Sequence, residues 1–260
     1  KDIDYKIIIE KTIGMKKYLY YCKKDLQTAI KVFKKLKSVK KLFPKTQFYY
    51  TYGNHDGDKN TQKVLKKYSE KNFKYVRRGI IKLATKEQGY NFIFFGGYRG
   101  TTGKSYLVDL KKYNKKHRLA VKKHIMRMNI LLEMMFHKIK YKTKKTSKIL
   151  SKNSTIFITH DPPYKTKLDL LDAKYLKAGN NKFKKTPNTS RVHIGDDIYT
   201  KFDKKYQPFI HVCGHMHENQ GDDKIGKTFV INPGPGFEGK YAVLEIDKQK
   251  IKNVKYYWYQ

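Results

Sequence analysis

Three times in this chain a short run of apolar, aromatic or β-branched residues stops at a polar motif rich in histidine or asparagine. Gln47 to Tyr52 runs into Gly53-Asn54-His55-Asp56, Thr155 to Thr159 into His160-Asp161-Pro162-Pro163, and Phe209 to Cys213 into Gly214-His215-Met216-His217. Such runs, closed by Gly, Pro, Asn or Asp, read as strands. Between them lie segments whose apolar residues recur at helical spacing, so the order strand, loop, helix repeats. That order argues a mixed α/β fold. It also puts each polar motif at a strand's C-terminal end, the edge where open α/β sheets bind their ligands.

The remaining elements follow from the same signals. Asp25 is placed to cap a helix carrying Leu26, Ile30, Phe33 and Leu36, and Pro44 stops it. Asn60 is placed to cap a second helix with Val64, Leu65 and Tyr68. Ile80 to Ala84 and Asn91 to Phe95 flank Gly89 as a hairpin. A lysine-laden stretch at about 105–151 reads as a helical insert with Ile125, Met128, Leu132 and Met135 or Phe136 on one face, a stripe that fits core packing better than a ligand box. From Asp161 to about Val192 the chain reads as a long polar loop, of the kind that forms a lip over a site or stays without order. Asp196 to Tyr206 reads as a helix and Thr228 to Asn232 as a strand, and Tyr241 to Ile246 with Ile251 to Trp258 closes the chain as a hairpin. No repeat and no Gly-, Pro- or Ser-rich linker divides the 260 residues, so one domain is expected.

Charge is the outstanding feature of the composition. The formal net charge is +37, which suits a polyanionic partner because counterion release rewards phosphate contact. Yet only Arg77, Arg78, Arg99, Arg118, Arg127 and Arg191 are arginines, and the lysines are spread along the whole chain. Arginine is the better fork for phosphate, so a lysine-rich coding bias outweighs a dedicated nucleic-acid face, and nucleic acid stays open as a partner. The longest apolar run, around Ile130 to Phe136, is broken by Glu133 and falls far short of the roughly 20 residues of a membrane helix. Cys22 and Cys213 form neither a CxxC pair nor a disulfide framework, and no apolar leader opens the sequence. A cytoplasmic protein without membrane association is expected.

The chemistry concentrates in the three polar motifs. A spacing of two lets His215 and His217 face the same side of an extended segment, with Gly214 allowing a tight turn before them. Two imidazoles converging on one point make half of a metal site. An isolated HxH is weak evidence, but Asn54, His55 and His160 at other strand ends strengthen it. His211, four residues before His215, reads as a core or supporting histidine, and His193 as a lip residue within reach of substrate. His117, His124 and His137 read as solvated, and Cys213 as a small buried residue beneath the site.

These motifs resemble the calcineurin-like metallophosphoesterases, in particular the small stand-alone phosphoesterases. Their pattern runs D-x-H, GD, GNH[D/E], a lone His, then GHxH. Gly53-Asn54-His55-Asp56, His160 and Gly214-His215-Met216-His217 match its last three elements in order. PPYKTKLD after His160, HIGDD at 193–197 and GKTFVINPG at 226–234 extend the likeness, which covers about residues 45–248. The chain shows neither D-x-H nor GD ahead of GNHD. Since residue 1 is Lys, an upstream truncation is the simplest expectation and a degenerate enzyme the alternative.

The resemblance implies a four-layer α/β/β/α sandwich of two mixed β-sheets flanked by helices. It implies a dinuclear centre in which Asn54, His160 and His215 hold one ion and His217 the other. The donor set of amide oxygen, imidazole and carboxylate suits Mn, Fe, Zn or Ni. Two divalent ions about 3.5–4 Å apart would activate a bridging water as hydroxide to attack phosphorus in line. His55 would protonate the leaving alkoxide as general acid. Asp56 would orient that imidazole, or simply make the turn before Gly57. The expected activity is metal-dependent hydrolysis of a phosphomonoester or phosphodiester, and a fragment truly lacking the first two motifs is expected to be inactive.

Two other classes compete. Gly103-Lys104-Ser105 hints at a nucleotide-binding P-loop, but the spacing needs glycine at 98, where Tyr98 stands. The second is a non-catalytic module on the same fold that binds nucleic acid through its lysines, without turnover.

Overall fold

In the computed structural model the described residues are 15–53, 59–70, 73–84, 89–96, 119, 126–127, 129–137, 155–172, 191–247 and 249–259. They divide into two compact units, Lys1–Gly79 with Phe94–Tyr98, and Ile80–Ile93 with Arg99–Gln260.

The first unit is built on a parallel strand pair joined through a helix. Helix α1 (Met15–Leu42) precedes strand β1 (Phe48–Tyr50), helix α2 (Lys59–Lys67) and strand β2 (Phe73–Tyr75). β1 and β2 run parallel, with Phe48 opposite Phe73 and Tyr50 opposite Tyr75. Parallel neighbours need a crossover connection, which α2 supplies. Tyr52, Leu65 and Phe73 form the buried core, with Leu36, Phe48, Tyr50, Tyr68 and Tyr75 packed against it. The Tyr50 hydroxyl donates to the Leu65 carbonyl at 2.7 Å, fastening β1 to α2. Burial is the main reason that this phenol's pKa is raised.

Two helix starts differ from the sequence expectation. Asp25 lies inside α1, which begins ten residues earlier at Met15. No Gly or Pro interrupts residues 15–42, so the run of good helix formers continues upstream of the expected cap. Asn60 lies in the first turn of α2, one residue inside its start. Pro44 does follow the end of α1, as expected from its missing N–H.

The second unit carries a six-stranded mixed sheet and two smaller strand pairs. In chain order its strands are β3 (Arg78–Ala84), β4 (Gly89–Phe95), β5 (Thr155–Thr159), β6 (Leu170–Asp172), β7 (Arg191–His193), β8 (Ile210–Val212), β9 (Gly221–Ile225), β10 (Thr228–Asn232), β11 (Lys240–Asp247) and β12 (Lys250–Trp258). Across the large sheet the order is β3-β4-β5-β8-β10-β9. β5, β8 and β10 run parallel, whereas β9 turns back antiparallel along β10. Register places Ile156, Ile210 and Phe229 in one row, and Phe157, His211 and Val230 in the next. Because strand side chains alternate, these rows face opposite sides of the sheet.

On one side Ile156, Ile210 and Ile231 pack against the closing hairpin of β11 and β12, through Ala242, Leu244, Ile246, Ile251, Val254 and Tyr256. On the other, Phe157 meets Tyr199 and Phe202 of helix α3 (Asp197–Tyr206). This unit therefore stacks helix, sheet and sheet, a mixed α/β arrangement. The helix expected from Asp196 to Tyr206 starts one residue later, and Asp196 caps it by accepting from the Ile198 N–H at 2.9 Å. In the helical segment 129–137, Leu132, Met135 and Phe136 are buried, and Phe136 lies 4.0 Å from the Tyr206 ring between centroids. For Leu132, Met135 and Phe136 the stripe is thus core packing, while Ile125 and Met128 lie outside the described residues.

The stretch after His160 contains more order than a plain loop. A 3-10 turn at Lys167–Asp169 leads into β6, which pairs antiparallel with β7. Residues 173–190 lie outside the described set, as do 54–58, with Asn54, His55 and Asp56, and the region of the P-loop-like Gly103-Lys104-Ser105. No helix among the described residues is long and apolar enough to cross a membrane.

Candidate metal centre

β5 and β8 are neighbours and parallel, so the turns that follow them emerge side by side. The Gly214 N–H donates to the His160 carbonyl at 2.8 Å, stitching the two turns together immediately beyond the sheet. His160 and His215 then meet: Nδ1 of His215 lies 3.1 Å from Nε2 of His160. With Asp161 they offer three ligand atoms all within 4.8 Å of one another. Asp161 is buried, and the two histidines are partly so.

The fit to a cation can be tested on that separation. Two imidazole nitrogens each ~2.0–2.1 Å from one ion, at angles between octahedral and tetrahedral, stand ~2.8–3.4 Å apart. The observed 3.1 Å falls in this range. Two nitrogens and a carboxylate form a mixed N/O donor set for a borderline divalent ion. The residues fit the metal that the sequence resemblance implies.

The backbone puts His215 there in an unexpected way. His215 itself adopts φ 67°, in the left-handed region. Gly214 does not, and a Cβ built on it would meet only the His160 carbonyl, at an ordinary 3.8 Å. A non-glycine residue in the left-handed region costs on the order of 1–3 kcal/mol and persists only where its surroundings enforce it. Here they do: Cys213 N–H donates to Ile231 O at 2.9 Å and Met216 N–H to Gly214 O at 2.7 Å. The buried Asn232 side chain also donates to Met216 O at 2.7 Å.

The positive φ ends the extended alternation that would have set His215 and His217 on one side. His215 turns to His160, while His217 is exposed with its ring edge-on to Phe237 at 5.0 Å. His217 is not among the three residues whose ligand atoms cluster. Asn54 and His55 lie outside the described residues. Asp161 is the residue that the sequence reading passed over. Its signal was its place directly after His160, at the same strand end.

Behind this group runs a buried chain of hydrogen bonds. The Thr159 hydroxyl donates to the Asp161 carbonyl at 2.7 Å and lies 2.8 Å from Nε2 of His211. A hydroxyl has one proton, so Nε2 of His211 is the donor in the second contact. Nδ1 of His211 then faces Oδ2 of Asp203 at 2.6 Å, with one proton shared between them. Both residues are fully buried, and desolvation raises the Asp203 pKa against the lowering effect of His211. His211 is the supporting histidine that its position suggested, wedged between Phe157 and Tyr199. Cys213 is buried beside Leu168, Ile225 and Val230, and burial pushes its thiol pKa well up. His137 is largely exposed, near Glu133, as expected of a solvated helix residue.

Parts of the chain match known proteins. Over 96 residues the chain is 30% identical to Uncharacterized protein MJ1162 of Methanocaldococcus jannaschii, a match that covers 36% of each protein. The chain thus spans about a third of the length of the curated relative it matches. A solved crystal structure aligns over 98% of this chain and 81% of its own, with TM-score 0.57 at 16% identity, a likeness of fold. The crystal structure of TT1561 of Thermus thermophilus aligns over 81% of this chain and 71% of its own, with TM-score 0.45 and 12% identity. Residues 174–256, which include the GHMH turn and most of the closing hairpin, match the family described as metallophosphoesterase, calcineurin superfamily, the family that the sequence motifs resemble.

Proposed function

We propose that the protein hydrolyses phosphate esters with two divalent ions, drawn from Mn, Fe, Zn and Ni. Asn54, His160 and His215 would hold one ion and His217 the other, with Asp161 as a further carboxylate beside the first. The single observation that carries this reading is the convergence of His160, Asp161 and His215 at the spacing of ligands to a common cation. The family match over residues 174–256 supports it independently.

Bound there, the ions supply an activated water nucleophile and neutralise charge on the phosphoryl oxygens. The chain's own residues do the rest. His160 and His215 present neutral imidazoles, fixed by the strap between Gly214 and the His160 carbonyl. His55 delivers a proton to the leaving alkoxide. Cys213 is a free buried thiol, which suits a reducing, cytoplasmic setting.

The test is hydrolysis of a generic aryl phosphodiester by the full-length protein with manganese. Turnover is expected, with severe loss in His55→Ala and in His215→Ala. Turnover unchanged in both variants would overturn the assignment.

A further inference from the structure

Asp169 is fully buried, and three backbone N–H groups and one imidazole nitrogen approach its carboxyl group. Its Oδ1 accepts from Thr166 N–H at 3.0 Å and faces Nδ1 of His193 at 2.6 Å. Its Oδ2 accepts from Lys165 N–H at 3.1 Å and Gly195 N–H at 2.9 Å. Three of these partners are backbone amides, which can only donate, and such a set of donors favours the ionised carboxylate, an acceptor for an N–H of His193. Nδ1 of His193 therefore carries a proton, and the ring's other nitrogen, Nε2, is left for a different partner. The His193 side chain is 38% exposed while Asp169 is not exposed at all, so a buried anion orients a reachable imidazole. The Tyr164 ring meets it edge-on at 5.9 Å and limits its rotation.

The dyad is laced to both turns that carry the candidate metal ligands. Asp196 N–H donates to the Pro162 carbonyl at 2.9 Å, and Tyr164 N–H donates to the Asp196 carbonyl at 3.1 Å. A Cβ on Gly195 would stand 2.7 Å from the Pro162 carbonyl oxygen, so the chain at 195 lies directly on the residue following Asp161. His193 is two residues away, at most ~7 Å of extended chain. From the other side, the Asn219 side chain donates to the carbonyls of Leu168 and Leu170, at 3.1 and 2.6 Å, and joins the GHMHEN turn to the same loop.

We propose that His193, oriented by Asp169, is a substrate-binding residue that donates from Nε2 to a phosphoryl oxygen of the bound ester. The proposal rests on the phosphoesterase reading and adds to it a contact outside the metal ligands. Its ligand class is a phosphoryl group with an anionic oxygen, and its contribution is electrostatic and directional, since a charge-assisted donor fixes the oxygen it grips.

The test uses histidine-¹⁵N NMR of the full-length protein loaded with zinc, which is diamagnetic, and titrated with inorganic phosphate. The His193 Nε2 signal is expected to move saturably with phosphate while Nδ1 stays protonated. Phosphate affinity is expected to fall about 10-fold or more in His193→Ala, the scale of a hydrogen bond to a charged group. His193→Gln, whose amide nitrogen can stand near the position of Nε2, should recover part of it. Phosphate that binds and shifts His160 and His215, with His193 unmoved and His193→Ala unimpaired, would overturn this proposal alone. Failure of the parent protein to bind phosphate at all would overturn the phosphoesterase reading and the role of His193 with it.

Discussion

Nδ1 of His215 lies 3.1 Å from Nε2 of His160, across a sequence separation of 55 residues. Parallel pairing of β5 with β8 creates the meeting, and the left-handed backbone at His215 completes it. If the pair binds a cation, His160→Ala and His215→Ala should each weaken zinc or manganese binding by ~100-fold or more, the upper end of what loss of a ligand's supporting partner costs. Calorimetric titration checks this. His217→Ala should leave the higher-affinity event in place.

The Asp203–His211 pair carries a stability prediction. Removing one member of a buried, hydrogen-bonded pair costs about 3–5 kcal/mol, so Asp203→Ala and His211→Ala should both lower the urea midpoint strongly. The pH dependence follows from the raised Asp203 pKa. The unfolded carboxyl ionises near ~3.9, while the folded one keeps its proton to higher pH. Its contribution is therefore fully present below the unfolded value and is lost as pH rises through the folded one. The stability gap between the parent protein and Asp203→Asn should narrow as pH is raised from about 4. A gap that widens would contradict the protonation assigned to the pair.

Gly195→Ala should destabilise the loop that carries the His193–Asp169 dyad. Its Cβ would meet the Pro162 carbonyl at 2.7 Å and Asp169 atoms at 2.8 Å, and the carbonyl belongs to backbone that cannot swing aside. Overpacking of this kind costs about 1–3 kcal/mol. Thermal unfolding should register the loss, and proteolysis near residues 163–196 should accelerate.

Cys213 should resist alkylation in the folded protein. It is buried, and its thiol is held in the protonated, unreactive form because desolvation opposes the thiolate. In a Cys22→Ser background, iodoacetamide labelling at pH ~8, near the ordinary thiol pKa, should be slow in buffer and rapid in denaturing urea. Fast labelling of the native protein would show that the core beneath the GHMH turn opens readily.

The strands that bear the motifs were legible because each is a compact apolar run with a sharp polar stop. Thr155–Thr159 and Thr228–Asn232 stand where the sequence places them, and α3 starts behind Asp196 as its cap requires. β6, β7 and β9 were not legible. Leu170–Asp172, Arg191–His193 and Gly221–Ile225 are short or rich in charge, and their pairing depends on partners that periodicity does not reveal. The histidine geometry was half legible. HxH announced a pair of imidazoles, but the extended conformation assumed for it fails at His215, whose φ is set by bonds from Cys213, Met216 and Asn232.

By itself the sequence determined the kind of fold and the stretches that carry its chemistry, because strand and helix periods and Gly, Pro, Asn and Asp punctuation are local properties of a chain. Which histidines meet was decided only by tertiary structure. Convergence of side chains 55 residues apart depends on strand order, register and a left-handed backbone held by distant hydrogen bonds. The same holds for Asp161 and for the Asp169–His193 dyad: a carboxylate's role follows from which donors surround it, and folding chooses those donors.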